Sequence, residues 1–112
     1  MLPSQFRLKK TNNIEYILKR GKLFQSPIFL AKYVPNRTEN HKFCVITSQK
    51  LEKSAVKRNR VRRQIYEALR LSLPKISPSH HDDCIIIPKK SIFETDFQKI
   101  SHEINFLLQY LQ

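Results

Sequence analysis

The sequence predicts an α+β domain, an α-β sandwich in which helices pack on a small, mostly central sheet. Three observations lead there. Stretches with apolar residues three and four apart alternate with short β-branched runs, in the order α-β-β-α-β-α. A chain of 112 residues holds one compact domain and is too short for two ordinary ones. Apolar residues make up 40% of it, including seven Phe, which is enough to build a core. Residues 1–112 are therefore read as a single domain.

Each element has its own signal. Residues 1–10 read as a basic arm with an apolar anchor in Leu2, Phe6 and Leu8. A short helix follows over 13–20. Thr11, Asn12 and Asn13 offer N-caps, Glu15 suits the positive end, and Lys19 and Arg20 suit the negative end. Ile14, Ile17 and Leu18 share one face, and Gly21 falls where a left-handed residue closes a helix. Residues 27–34 (PIFLAKYV) read as a strand, 35–41 as a loop and 42–48 (KFCVITS) as a second strand. A long helix over 54–73 ends before Pro74. Residues 74–83, with two prolines and clustered polar side chains, read as a loop. Residues 84–88 (CIIIP) form a third strand, whose consecutive isoleucines predict burial on both faces. A final helix over 94–111 carries its stripe on Phe97, Ile100, Ile104, Leu107 or Leu108, and Leu111.

Several classes fall away. No apolar run reaches the roughly 18 residues a membrane span needs, and the basic N-terminus has no apolar segment of the secretory kind. Cys44 and Cys84 each lie in an apolar run and read as core residues, not a disulfide, in keeping with a cytoplasmic protein. Charge is more informative. Lys and Arg total 21 against 9 Asp and Glu, a net +12. Residues 53–70 hold seven basic side chains and one acidic, and residues 1–25 hold six and one. Residues 71–112 are slightly acidic. So uneven a distribution points to a polyanion meeting particular surfaces.

The long helix explains the concentration. At about 100° per residue, Val61, Ile65, Ala68 and Leu69 fall on one stripe and face the core. Asn59, Arg62, Arg63, Tyr66 and Arg70 fall on a contiguous arc beside it. Arg60 and Lys57 lie further round, and Arg58 borders the stripe. A solvated helix face usually mixes signs to form pairs one turn apart, but here only Glu67 offsets seven cations. Guanidinium forks suit phosphate, an asparagine suits a base or ribose edge, and a phenol suits stacking. The strands around this helix and the missing heptads argue against a DNA-reading motif. The candidate RNA-binding set is Lys53, Lys57, Arg58, Asn59, Arg60, Arg62, Arg63, Tyr66 and Arg70, joined by Arg7 and Lys10 of the basic arm.

The stretch AVKRNRVRRQIYEALR, Ala55 to Arg70, resembles the RNR signature of the bacterial ribonuclease P protein subunit. The likeness covers nearly the whole chain. LPSQFRLKKTNNIEYILKRGK resembles the family's opening, CVITSQK its strand before a basic step, and DCIIIPKK its late buried strand. The resemblance implies a subunit of an endoribonuclease that removes the 5′ leader of precursor tRNA in the cytoplasm. Catalysis and Mg²⁺ would belong to the RNA subunit, with no cofactor and no catalytic residue on the protein. Arg58, Asn59, Arg60, Arg62 and Arg63 match the motif and would contact the catalytic RNA. The leader would lie in a cleft between the first helix (Ile14, Leu18) and the first strand (Leu30 and Lys32, with Phe29 or Tyr33 if the register shifts). The partners implied are the catalytic RNA and precursor tRNA, with no membrane and no obligate protein partner. The family fold also has a left-handed β-α-β crossover, similar to the second domain of a small-subunit ribosomal protein. Two departures stand out. Ile14 and Leu18 occupy places where the family often has aromatics, and Ser48-Gln49-Lys50 stands for a Ser-Lys-Lys step.

Two other readings compete. An enzyme in its own right would need a constellation, and His80-His81-Asp82-Asp83 is the nearest to one. Four adjacent residues point in alternating directions, so this stretch reads as a polar loop without a metal. One glycine in the whole chain excludes a glycine-rich phosphate loop. A structural RNA-binding protein of the ribosomal or assembly kind would share the composition and charge, and differs in lacking the motif order.

Overall fold

The fold is described from a computed structural model that defines residues 2–9 and 14–111. Strand β1 (Lys22–Gln25) turns through Ser26–Ile28 into β2 (Phe29–Asn36) and pairs with it antiparallel. β4 (His81–Pro88) runs antiparallel to β2 along its full length, from Phe29 opposite Pro88 to Asn36 opposite His81. β3 (Lys42–Val45) adds to the far side of β4 in parallel, giving the order β1-β2-β4-β3. Two parallel neighbours need a crossover, and helix α2 (Ala55–Ser72) supplies it. α1 (Ile14–Arg20) and α3 (Phe97–Tyr110) complete the helices.

The sheet is covered on both faces. On one face, Phe29, Ala31, Phe43 and Ile86 meet Val61, Ile65 and Leu69 of α2 and Ile100, Ile104 and Leu108 of α3. On the other, Ile85 meets Leu8 and Ile17, ringed by half-buried Ile14, Leu18, Val34, Cys44, Ile46 and Ile87. The isoleucine run is thus sheathed on both sides, as its sequence predicts, because β4 is an inner strand between β2 and β3. Cys84 is buried, Cys44 is half-buried, and neither is in a disulfide. Among the described residues, no helix is long and apolar enough to cross a membrane.

The arm is more than an arm. Leu2 and Leu8 are buried, Arg7 bridges Phe43 in parallel, and the Leu8 N–H donates to the Phe43 carbonyl at 2.8 Å. This segment therefore covers the outer edge of β3. The expected caps Thr11, Asn12 and Asn13, and the RNA-binding candidate Lys10, lie outside the described residues.

Other expectations need correcting. β1 is missing from the sequence reading, since four residues with Leu23 exposed and Phe24 half-buried give little alternation to find. β4 starts at His81, so His81-Asp82-Asp83 form strand where a loop was expected. Pairing to β2 overrides the polar composition there, and Asn36 Nδ2 donates to Asp83 Oδ1 at 2.8 Å. α3 starts at Phe97, where Asp96 caps it by accepting from the Lys99 N–H at 2.9 Å, and Lys90–Glu94 make a separate 3-10 turn. Gly21 is not left-handed. Space demands it instead: a Cβ there would stand 2.5 Å from the Ile17 carbonyl oxygen and 3.1 Å from the Tyr33 nitrogen.

Candidate nucleic-acid interface

α2 begins where Ser54 Oγ accepts from the Lys57 N–H at 3.3 Å, a cap that fixes the register of everything after it. Val61, Ile65, Ala68 and Leu69 are fully buried, as the helical spacing requires. Lys53, Lys57, Asn59, Arg60, Arg63 and Arg70 are exposed, while Arg58 and Arg62 are half-buried. Among the described residues, Arg70 is the one cation of this helix in an ion pair, held by Glu67 in a bidentate grip with Nε contacts of 3.1 and 3.2 Å. That grip keeps the Glu67 carboxyl below its ordinary pKa. The N-terminal two turns therefore present cations with no carboxylate to answer them.

Two of these arginines are held in place by their neighbours. Arg62 donates from Nη1 to Asn59 Oδ1 and from Nη2 to Thr47 Oγ1, both at 3.1 Å. Arg58 donates from Nη1 to the Glu52 carbonyl at 2.6 Å. Each keeps donors of its five to spare, so anchoring aims the fork without exhausting it. Thr47 and Glu52 were invisible to sequence reasoning, because a hydroxyl and a backbone carbonyl have no spacing that marks an arginine support.

Tyr66, expected as a stacking ring, is also tied to β3. Its hydroxyl accepts from the Val45 N–H at 3.3 Å, and its ring packs half-buried against the core. Burial pushes its phenol pKa up. The residue braces α2 against β3, which its position between stripe and arc explains. The arc splits around it. Arg62 and Tyr66 join Ser4, Arg7, Lys9 and β3 in a crevice of about 590 Å³. Arg60, Arg63, Gln64, Tyr66 and Glu67 form another of about 560 Å³ with Phe97. The first crevice brings Arg7 to Arg62 from far apart in sequence, and it adds Lys9.

On the opposite face of the sheet, α1 packs beside a partly open strip of β2. Leu30 lies opposite Ile87, and Lys32 lies between Leu23 and Ile85, all on the face that α1 covers. Ile14, Leu18, Leu30 and Lys32 are half-buried, so apolar surface and one ammonium stay open beside the helix. Phe29 does not belong to this wall. Strand alternation turns it to the other face, fully buried against α2 and α3. Tyr33 turns the same way, its ring edge-on to Tyr110 with centroids 6.0 Å apart.

The His80–Asp83 stretch makes a different structure from a site. Asp82 is buried, with Oδ2 at 3.2 Å from His80 Nε2, and its N–H donates to Nδ1 of buried His41 at 3.0 Å. Burial, reinforced by His81 and His80, lowers the His41 pKa to about 4. Among the described residues, no group of three or more His, Cys, Asp or Glu is placed to hold a metal ion.

Comparison with known proteins adds a second line of observation. A family model described as Ribonuclease P matches residues 2–112. The "Ribonuclease P protein component" of Rippkaea orientalis is 31% identical over 112 residues, covering 96% of this chain and 87% of that protein. The protein of the same name from Picosynechococcus is 30% identical, covering 96% and 90%. The solved "RNase P protein" of Thermotoga maritima superimposes with a TM-score of 0.82 at 24% identity, over 95% of this chain and 97% of that one. At that identity the structural likeness speaks for a shared fold.

Proposed function

The chain belongs to the ribonuclease P protein family, and from that premise we propose how its two faces divide the work. It is the protein subunit of ribonuclease P, the endoribonuclease holoenzyme of tRNA 5′ processing. Its partners are, in general, the ribonuclease P RNA and precursor tRNA.

On our reading the exposed side of α2 binds the catalytic RNA. One observation carries this: among the described residues, Lys57, Arg60 and Arg63 of α2, and Lys53 just before its cap, are in no ion pair, while the other side of the helix is locked into the core. Like charge held so rigidly is relieved by a polyanion, and release of its counterions favours the complex. Arg62, aimed by Asn59 and Thr47, and Arg58, aimed by Glu52, supply oriented forks at the same end. Arg7 and Lys9 extend the surface past β3. The strip of Ile14, Leu18, Leu30 and Lys32 takes the 5′ leader, its apolar side chains lying against bases and Lys32 against phosphate. Mg²⁺ belongs to the RNA on this reading, and there it would supply the chemistry of phosphodiester hydrolysis. The single carboxylate on the basic face, Glu67, is committed to Arg70 and does not suit a hard cation. The polypeptide binds and orients both RNAs without touching the reacting atoms.

Reconstitution tests the reading. At low Mg²⁺, adding the protein to its RNA subunit should restore leader removal from precursor tRNA. Absence of stimulation across a range of salt would overturn the assignment of faces and favour a purely structural RNA-binding role.

A further inference from the structure

The crevice of about 560 Å³ between α2 and the start of α3 has lips and an interior of different chemistry. Arg60 and Arg63 stand at the lips, and both are exposed. Arg60 is steered across the gap, since its Nη2 donates to the Phe93 carbonyl at 3.4 Å. The lining within is mostly apolar. Phe97 and Tyr66 supply it, each half-buried and packed on one side against the core. Tyr66 is held from behind by the Val45 N–H, so its ring is a fixed wall. Two polar side chains share this lining. Gln64 is half-buried, and among the described residues its amide makes no hydrogen bond. Glu67 accepts from Arg70, and its carboxylate keeps acceptor capacity beyond those contacts.

These parts select an occupant. Cations at the lips admit a group carried on a phosphodiester chain. An interior walled by aromatic rings rejects the phosphate itself, because a charge taken out of water there finds no partner. A nucleobase is left: apolar on its faces and polar at its edge. It has to be unpaired, since a paired base has no free edge and its stack bars it from a gap between two helices. An amide without a partner and a carboxylate beside the rings are suited to such an edge. Glu67 only accepts, so it favours a base with an exocyclic amine. Gln64 both donates and accepts, and suits the ring nitrogen or carbonyl next to that amine.

We propose that this crevice takes one unpaired, amine-bearing base of the catalytic RNA, with Phe97 as the stacking ring and Gln64 and Glu67 at its edge. This rests on the assignment of α2 to the catalytic RNA. It adds a point of sequence readout to that surface, since phosphate contacts alone register no sequence. It also gives α3, through Phe97, a share in an interface otherwise built on α2.

The chain has no tryptophan, so Phe97→Trp places a single fluorophore in the crevice. Its emission should be quenched when the catalytic RNA binds. Phe106→Trp is the control, because Phe106 is exposed further along α3 and lines a different crevice. Its emission should stay as it is. Gln64→Ala and Phe97→Leu should each lower affinity for the RNA roughly 3- to 30-fold and leave the salt slope unchanged, because no phosphate contact is lost. In reconstituted holoenzyme, a base shielded by the unmodified protein from dimethyl sulfate or kethoxal should become reactive with Gln64→Ala, while hydroxyl-radical protection of the backbone is kept. Absence of quenching in the bound complex, equal quenching at both tryptophan positions, or an unaltered base footprint would each overturn the base site. A salt slope unmoved by Arg60→Ala with Arg63→Ala would instead overturn the assignment of α2 beneath it.

Discussion

His41 shows how much a single residue's behaviour depends on what surrounds it. Its Nδ1 accepts a hydrogen bond from the Asp82 backbone, which places the ring proton on Nε2 and keeps the side chain neutral. His80, His81 and Asp82 face it from β4 and the approach to β4, and Phe43 from β3. Its folded pKa of about 4 lies below the ordinary 6.5. The unfolded chain therefore takes up a proton that the folded chain refuses. Stability from this group is complete above pH 6.5 and is lost as pH falls toward 4, roughly 1–3 kcal/mol across the window. Asp82, whose burial raises its pKa, works in the opposite sense close above its own ordinary value. Thermal melts should show Tm falling between pH 6.5 and 4, and His41→Gln should flatten that fall. An unchanged slope in the variant would assign the effect to other groups. Sequence shows that such residues are present and hides what they touch. The place of Arg58, Arg62 and Arg63 beside the core stripe of α2 was legible from spacing alone. That Tyr66 braces β3, that Phe29 faces the core, and that Thr47 aims Arg62 all follow from contacts between distant segments.

Elements were legible in proportion to how much of their pattern is local. α2 was read to within a residue at each end, because Ser54, the apolar stripe and Pro74 all lie within it or beside it. β1 was not read at all, because an edge strand of four residues is defined by its partner and not by its own alternation. The same dependence lengthened β4 at its polar end. Division of labour on α2 gives a clean expectation. Ile65→Ala removes a fully buried side chain and should cost roughly 2–4 kcal/mol in denaturant unfolding, without touching a single exposed cation. A cost below about 1 kcal/mol would mean that the stripe is not the anchor we take it to be.

At the scale of the whole molecule, fold class and family were legible, while the layout of surfaces around the sheet was not. Regional charge located the two basic stretches. Only the fold shows that the first stretch is divided, with Arg7 and Lys9 beside Arg62 of α2 and the α1 cations across the sheet. This arrangement separates two functions that a variant can test. Arg62→Ala with Arg63→Ala should weaken catalytic-RNA binding and lower its salt slope by about two contacts' worth, with the Tm nearly unchanged. An unaltered slope would mean that these guanidiniums meet no phosphate.

The covering of β3 by residues 2–8 has a bearing on how the molecule is made. Leu2 and Leu8 close over apolar partners on both sides of the sheet, and Leu8 bonds to Phe43. Those partners include Ile85 and residues of α3, synthesised some eighty to a hundred positions later. During synthesis Leu8 is made well before Ile85, so its packing waits until β4 has emerged.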